Sequence, residues 1–250
     1  MKVTVTHNEK QYSTDLTKGA DISIAITTNE PTVNAYYAHP VSMEPYTQGD
    51  WIGEVSKGGS VNYRNISFNP HGNGTHTECV GHIDETIHSV NQHFKQFHMV
   101  AQLVSVSPNK LDNGDYVIEK QQLESLMKGE TEGVIIRTLP NGIDKKARNY
   151  SGQNPAYLDS GAVQFLVENG CKHLVLDLPS VDRESDEGRL LGHKAFWTFP
   201  ENPRMECTIT ELAYIPTDVK DGLFLLNLQV APFENDAAPS RPVLYPLSEE

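Results

Sequence analysis

Apolar and polar positions alternate with period two over much of this chain, and helical spacing appears in only a few places. Val3 to Thr6 and Gln11 to Asp15 flank the polar group His7–Lys10, a pattern that predicts a β-hairpin. Asp21 to Ile26 alternates and predicts a strand, as does Val61 to Phe68. Between them, residues 28–60 are rich in Pro, Gly, Asn and Tyr, and read as a long surface excursion of the kind usually kept for function. Met99 to Ser105, Gly133 to Arg137, Leu174 to Asp177, Ile209 to Ile215 and Leu223 to Val230 carry the remaining strong strand signals. Helical spacing is confined to Glu119–Met127 and to the stretch after Pro155. There Ala162, Val163, Leu166 and Val167 share a face and Asn169-Gly170 forms a stop. The pattern predicts many strands with two or three helices in mixed order: an α/β fold with a mostly β core. No repeat, low-complexity tract or linker divides the chain, so residues 1–250 are expected to form a single domain, with 1–19 as an N-terminal β-hairpin extension.

Charge narrows the partners. The 250 residues include 33 acidic and 20 basic ones, for a net charge of −13. Nucleic acid and anionic membrane are disfavoured, because both require clustered Lys and Arg. The largest basic grouping is only Lys145, Lys146 and Arg148. Cys79, Cys171 and Cys207 are odd in number, far apart and without a CxxC pair, which argues for a reducing compartment. The first residues lack the apolar run of a signal peptide, and apolar stretches such as Leu223–Leu226 are too short to span a membrane. A cytoplasmic protein is expected.

The chemistry concentrates at His71-Gly-Asn-Gly-Thr-His76-Thr-Glu78-Cys79-Val-Gly-His82. If residues 75–79 are extended, His76 and Glu78 point to one face. Imidazole nitrogen and carboxylate oxygen are suitable ligands for zinc, manganese or iron(II). Gly72 and Gly74 would let the backbone approach a metal or adopt positive φ, and His82 lies close enough to approach the same pocket. Histidines and glutamates on turns are also ordinary solvated groups, and no HExxH motif is present. His88, His93 and His98, spaced by five, suit surface or structural roles. Cys79 reads either as a nucleophile within the patch or, more simply, as a packing residue. The chain has no GxSxG elbow, P-loop or GxGxxG turn, which removes serine hydrolase and nucleotide-binding readings.

The segment Gly74–His82 resembles the H-x-G-T-H-x-D-x-P-x-H signature of the cyclase-like metal hydrolases, a family that includes bacterial kynurenine formamidase and isatin hydrolase. Further likenesses follow in order. Ala20–Ser23 is similar to the family's D-L-S segment, Ile136–Thr138 to L-R-T, Leu176–Asp182 to D-T-P-S-x-D, and His193–Phe196 to a later histidine segment. Thr210–Leu212 with Leu223–Pro232 is similar to a late strand pair, and Ser240–Leu244 to the closing strand. The resemblance implies a swivelling β/β/α fold and a metal site holding one or two Zn²⁺ or Mn²⁺ ions. His71, His76, Glu78, His193 and Glu211 would be the ligands and His82 the proton shuttle. It implies hydrolysis of an amide, a formamide or cyclic amide, of a small and possibly aromatic substrate by metal-activated water, in a homodimer or tetramer. A lactone or ester hydrolase, or a non-catalytic ligand binder of the same family, is the alternative. Three departures stand out. Gly72 occupies the place of the first histidine, with His71 one residue earlier, so that a bulge would have to re-aim it. Glu78 replaces Asp and Val80 replaces Pro. Tyr36, Tyr37, Tyr46 and Trp51 on the long excursion either pack on the domain or wall the pocket as a lid.

Overall fold

The computed structural model describes residues 1–250. Its centre is a mixed nine-stranded sheet that curls as a half-barrel. In spatial order the strands are Ala237–Pro239, His76–Glu78, Thr208–Glu211, His173–Leu176, Gly133–Thr138, His98–Val106, Gly222–Asn227, Val243–Pro246 and Ala20–Asp21. The four strands from 98–106 to 208–211 run parallel to one another, and the outer pairings are antiparallel.

The central strands explain why apolar residues there come in unbroken runs. Both faces of the sheet are covered, so both sets of alternating side chains must be apolar. Val104, Val106, Val134, Ile136, Leu174 and Leu176 pack to one side with the helices Lys120–Leu126, Ser160–Glu168 and Leu191–Trp197. Met99, Ala101, Leu103, Ile135 and Val175 pack to the other side with Ile22, Phe94, Phe224 and Leu244. The 120–126 helix begins with reciprocal bonds between Glu119 and Gln122, and the 160–168 helix with Asp159 accepting from Ala162 N–H.

Several sequence expectations hold and some are corrected. The hairpin forms between Lys2–His7 and Lys10–Asp15. The strand expected over residues 21–26 shortens to Ala20–Asp21. Ile22 and Ile24 are buried, but beyond Asp21 the backbone bonds singly to Pro242, Tyr214 and Thr75 instead of forming a ladder. The long excursion contains three short strands, Ser42–Pro45, Thr47–Gln48 and Trp51–Ile52, and the expected 61–68 strand is reduced to Arg64–Ser67, paired with Ser42–Pro45. Four α-helices form instead of two or three; Val90–His93 and Leu191–Trp197 are the additions. No helix is long and apolar enough to cross a membrane.

His173, to which the sequence assigned no role, is 2% exposed, packs edge-on against Phe94 and bonds to Thr208 Oγ1 at 3.0 Å. Burial pushes its pKa down to about 4, and the nearby Glu132 charge only partly offsets this. An unfolded histidine protonates near pH 6.5. Stability from this residue is therefore complete above about pH 6.5 and is lost as the pH falls towards 4, by about 3 kcal/mol. Urea unfolding of wild type and His173→Gln between pH 7 and 4 is expected to show the wild type losing more stability. Parallel losses would remove His173 as the cause.

Candidate metal centre

His76–Glu78 is a three-residue strand held between two antiparallel neighbours, and none of its side chains is exposed. As the alternation predicts, His76 and Glu78 share a face. Register places His76 directly across from Glu211 on the 208–211 strand, with His76 Nε2 3.5 Å from Glu211 Oε2. Thr77 and Thr210 point the other way and share a 2.7 Å hydroxyl bond that fixes this register. Nδ1 of His76 is engaged by the Gly74 carbonyl at 3.1 Å, which leaves Nε2 aimed at the site.

His71 reaches the same centre from the preceding turn. Its Nδ1 lies 3.2 Å from Glu78 Oε2, and its Nε2 bonds to Asp236 at 2.9 Å. No bulge delivers it. A turn does so, in which Asn69 Oδ1 accepts from His71 N–H and Asn73 Oδ1 accepts from Asn69 N–H. Position 72 cannot carry a side chain, since a Cβ there would lie 2.4 Å from Ala38 Cβ and 2.7 Å from the Ala35 carbonyl oxygen. Gly74 is likewise pressed against Ile24 and Ile26. Both glycines therefore serve close packing, and neither adopts the positive φ that was one of the sequence expectations.

His193 comes from the 191–197 helix. Asp182 caps that helix by accepting from Gly192 N–H (2.6 Å) and His193 N–H (3.1 Å), and its Oδ2 also holds His193 Nδ1 at 2.6 Å. The imidazole stacks on Trp197, and its Nε2 is directed to Glu78 Oε1 at 3.1 Å and Glu211 Oε1 at 4.0 Å. Glu211 Oε1 accepts from Val181 N–H at 2.9 Å. His82 ends a short 3₁₀ turn, Val80–His82, with Nδ1 3.3 Å from Asp236 and 3.6 Å from Glu78. All six sequence candidates thus converge.

Four carboxylates, Glu78, Glu211, Asp182 and Asp236, meet four imidazoles here. Burial would raise Glu78, but His82, His193 and His71 outweigh it and hold the carboxyl well below its usual range. Burial disfavours the His71 and His193 cations, yet the bond to Asp236 and the adjacent Glu78 carboxylate raise His71 to about 10, and bonds to Asp182 and Glu78 raise His193 to about 10. A site whose field holds positive charge this strongly is suited to a cation. Two buried atoms, His76 Nε2 and Glu78 Oε2, have no hydrogen-bond partner of good geometry. Donor atoms bound about 2.1 Å from a tetrahedral ion sit about 3.4 Å apart. The separations of 3.2 Å (His71–Glu78), 3.5 Å (His76–Glu211) and 3.1 Å (His193–Glu78) match that spacing. The donor set therefore fits one or two divalent ions. His71, His76 and Glu78 form one compact group, and Glu78, His82 and His193 another.

The centre floors a pocket of about 270 Å³ lined by Tyr36, Ser180, Arg183, Glu184 and Leu190 among others. Tyr36 brings its phenol over Ser180, and burial together with the Glu211 charge pushes it well up. Tyr36 and Tyr37 both have left-handed backbones. Tyr46 and Trp51 instead cluster with Tyr63 and do not line the pocket. Of the aromatic residues on the excursion, Tyr36 takes the wall position, whereas Tyr46 and Trp51 pack on each other and on the exposed Tyr63. Cys79 is fully buried and its thiol is pushed up to about 11 by that burial, which makes it a packing residue. His88 bonds to Asp84, and His93 packs on His88. Asp182 and Asp236 were not singled out from the sequence. Asp182 stood inside the quoted Leu176–Asp182 segment, whereas Asp236 carried no motif signal.

Gly72→Ala is expected to lower stability by about 1–3 kcal/mol through overpacking against residues 35–38, read as a lower urea midpoint. An unchanged midpoint would mean that this segment yields and that position 72 is open to side chains.

Comparison with known proteins bears on family and fold. Kynurenine formamidase of Bacillus cereus is 29% identical over 200 residues, 79% of this chain and 85% of that protein. A structure described as a potential metal-dependent hydrolase with cyclase activity superposes with a TM-score of 0.64 at 16% identity, covering 92% of this chain and 98% of the other. Isatin hydrolase A from Labrenzia aggregata, bound to benzyl benzoate, gives 0.65 at 15% identity, covering 91% and 93%. The family model described as "Putative cyclase" matches residues 20–183. That match spans more than half of the chain, and the chain belongs to this cyclase family.

Proposed function

We propose that the protein is a metal-dependent hydrolase that opens the amide bond of a small formamide or cyclic amide. The observation that carries this reading is the pair of unpartnered buried donors, His76 Nε2 and Glu78 Oε2, which lie against His71, His82, His193 and Glu211 of the pocket lining. The 29% identity to a kynurenine formamidase supports the C–N bond class. Zinc or manganese suits the nitrogen and oxygen donors.

His71, His76, Glu78, His193 and Glu211 would hold a divalent ion, which would supply Lewis-acid polarisation of the scissile carbonyl and a more nucleophilic water at neutral pH. The chain's own groups do the rest. Asp182 fixes His193 through Nδ1, so that ring cannot turn away. The Val181 N–H steadies Glu211. His82 is the proton carrier: Glu78 and Asp236 engage its Nδ1, which leaves the Nε2 lone pair to take a proton from the attacking water and then give it to the departing nitrogen. Tyr36 closes one wall and, with Leu190, limits the space to a small substrate.

Two variants separate the roles. His76→Ala is expected to lose bound metal and turnover together. His82→Ala is expected to keep the metal content of the wild type and lose about 10²–10⁴-fold in kcat. Plasma mass spectrometry of protein purified without chelator, with turnover on formanilides, cyclic amides, lactones and simple esters, checks both. Full turnover by His82→Ala would end its role as proton carrier. Turnover of esters and lactones alone would move the substrate class away from amides. Wild type that binds neither zinc nor manganese would leave a ligand-binding pocket without water activation.

A further inference from the structure

His71 and His82 differ from the other members of the cluster in how they are held. His76 is fixed by the sheet and the Gly74 carbonyl, and His193 by its helix and Asp182. His71 stands on a turn and His82 at the end of one 3₁₀ turn, with side chains 23% and 31% exposed. Both rings bond to the same atom, Asp236 Oδ2, at 2.9 Å and 3.3 Å, and each also has Nδ1 near Glu78 Oε2, at 3.2 Å for His71 and 3.6 Å for His82. The two rings lie with centroids 4.5 Å apart.

Asp236 is itself held firmly. It directly precedes the edge strand 237–239, whose register sets Ala237 opposite Glu78, and its carbonyl accepts from Cys79 N–H at 3.0 Å. The adjoining Asn235 carbonyl accepts from Val90 N–H at 2.9 Å, and its side chain bonds to the Ala237 carbonyl. A short ladder therefore fixes the backbone that presents the carboxylate.

We propose that Asp236 is a positioning residue that sets the orientation and tautomer of His71 and His82 through one carboxylate oxygen. His71 gives its Nε2–H to Asp236, so the lone pair of Nδ1 faces Glu78 and the cation site. His82 gives its Nδ1–H to the same oxygen, so the lone pair is on Nε2. This arrangement also accounts for the displaced histidine. Position 72 has no room for a side chain, so the ligand sits one residue earlier on the turn, and the Asp236 carboxylate, just before a distant strand, bonds its ring.

The proposal rests on the metal-site reading, and the test separates the two. Zinc affinity is measured by competition with a chromophoric chelator for wild type, Asp236→Ala, Asp236→Asn, His71→Ala and the His71→Ala/Asp236→Ala double variant. Asp236→Ala is expected to bind zinc about 10–100-fold more weakly. Asp236→Asn keeps an acceptor oxygen and is expected to recover most of that loss. In the His71→Ala background, removing Asp236 is expected to cost less than about twofold, since the effect runs through His71. Ring ¹⁵N spectra of zinc-loaded, histidine-labelled wild type are expected to show the proton on Nε2 of His71 and on Nδ1 of His82. This readout needs no variant to fold. Equal zinc affinity in wild type and Asp236→Ala, an equal loss in both backgrounds, or zinc on Nε2 of His71 would overturn the role. Wild type that takes up no zinc would overturn the metal reading beneath it.

Discussion

A carboxylate with no exposure to water governs this molecule. Glu78 lies in a three-residue strand inside the main sheet, where an isolated charge would be costly to bury. It is tolerated because His71, His82 and His193 surround it from three separate segments. Each of those histidines is in turn engaged by a second carboxylate, Asp236 for the first two and Asp182 for the third. The arrangement alternates charge outward from one buried oxygen pair. It persists only while every segment stays in place, so fold and site depend on each other.

The sheet makes that convergence possible. The antiparallel strands 237–239 and 208–211 flank 76–78, with Ala237 opposite Glu78 and Glu211 opposite His76, so Asp236 and Glu211 reach the cluster from the two neighbouring strands. The parallel core beside them packs an apolar cluster on each face, which makes it a stiff support. The end of the 173–176 strand leads through Ser180 and Asp182 to the histidine-bearing helix. Specificity in such an arrangement belongs to the less regular segments: the left-handed Tyr36 and the turn at 69–74 shape the pocket, while the strands hold the charged groups.

The strands of the parallel core were legible in the sequence because burial on both faces leaves unbroken apolar runs, as in Val134, Ile135 and Ile136. The pair His76 and Glu78 was legible from period two alone. Other parts were not, for physical reasons. The 191–197 helix is seven residues long and begins with a left-handed Leu190; its cap is Asp182, and burial of Phe196 and Trp197 anchors it, none of which is local. The 237–239 strand reads Ala-Ala-Pro and has no strand propensity of its own; its partner across the sheet defines it. In residues 21–26 the alternation reflects burial of Ile22 and Ile24 without a ladder, so the period was real and the strand was not. His193 and Glu211 entered through family resemblance. Asp236 had neither period nor motif, and only the fold brings it to His71.

The central claim is that this cluster is a cation site and not a self-neutralised polar core. The most direct measurement is a crystal structure of zinc-loaded protein with anomalous data collected on both sides of the zinc absorption edge. An anomalous peak is expected about 2.0–2.2 Å from His76 Nε2 and from Glu78 Oε2, the two atoms of the cluster left without a partner. A fully ordered cluster with no peak, its histidines bonded to the same carboxylates at the distances given above, would contradict it.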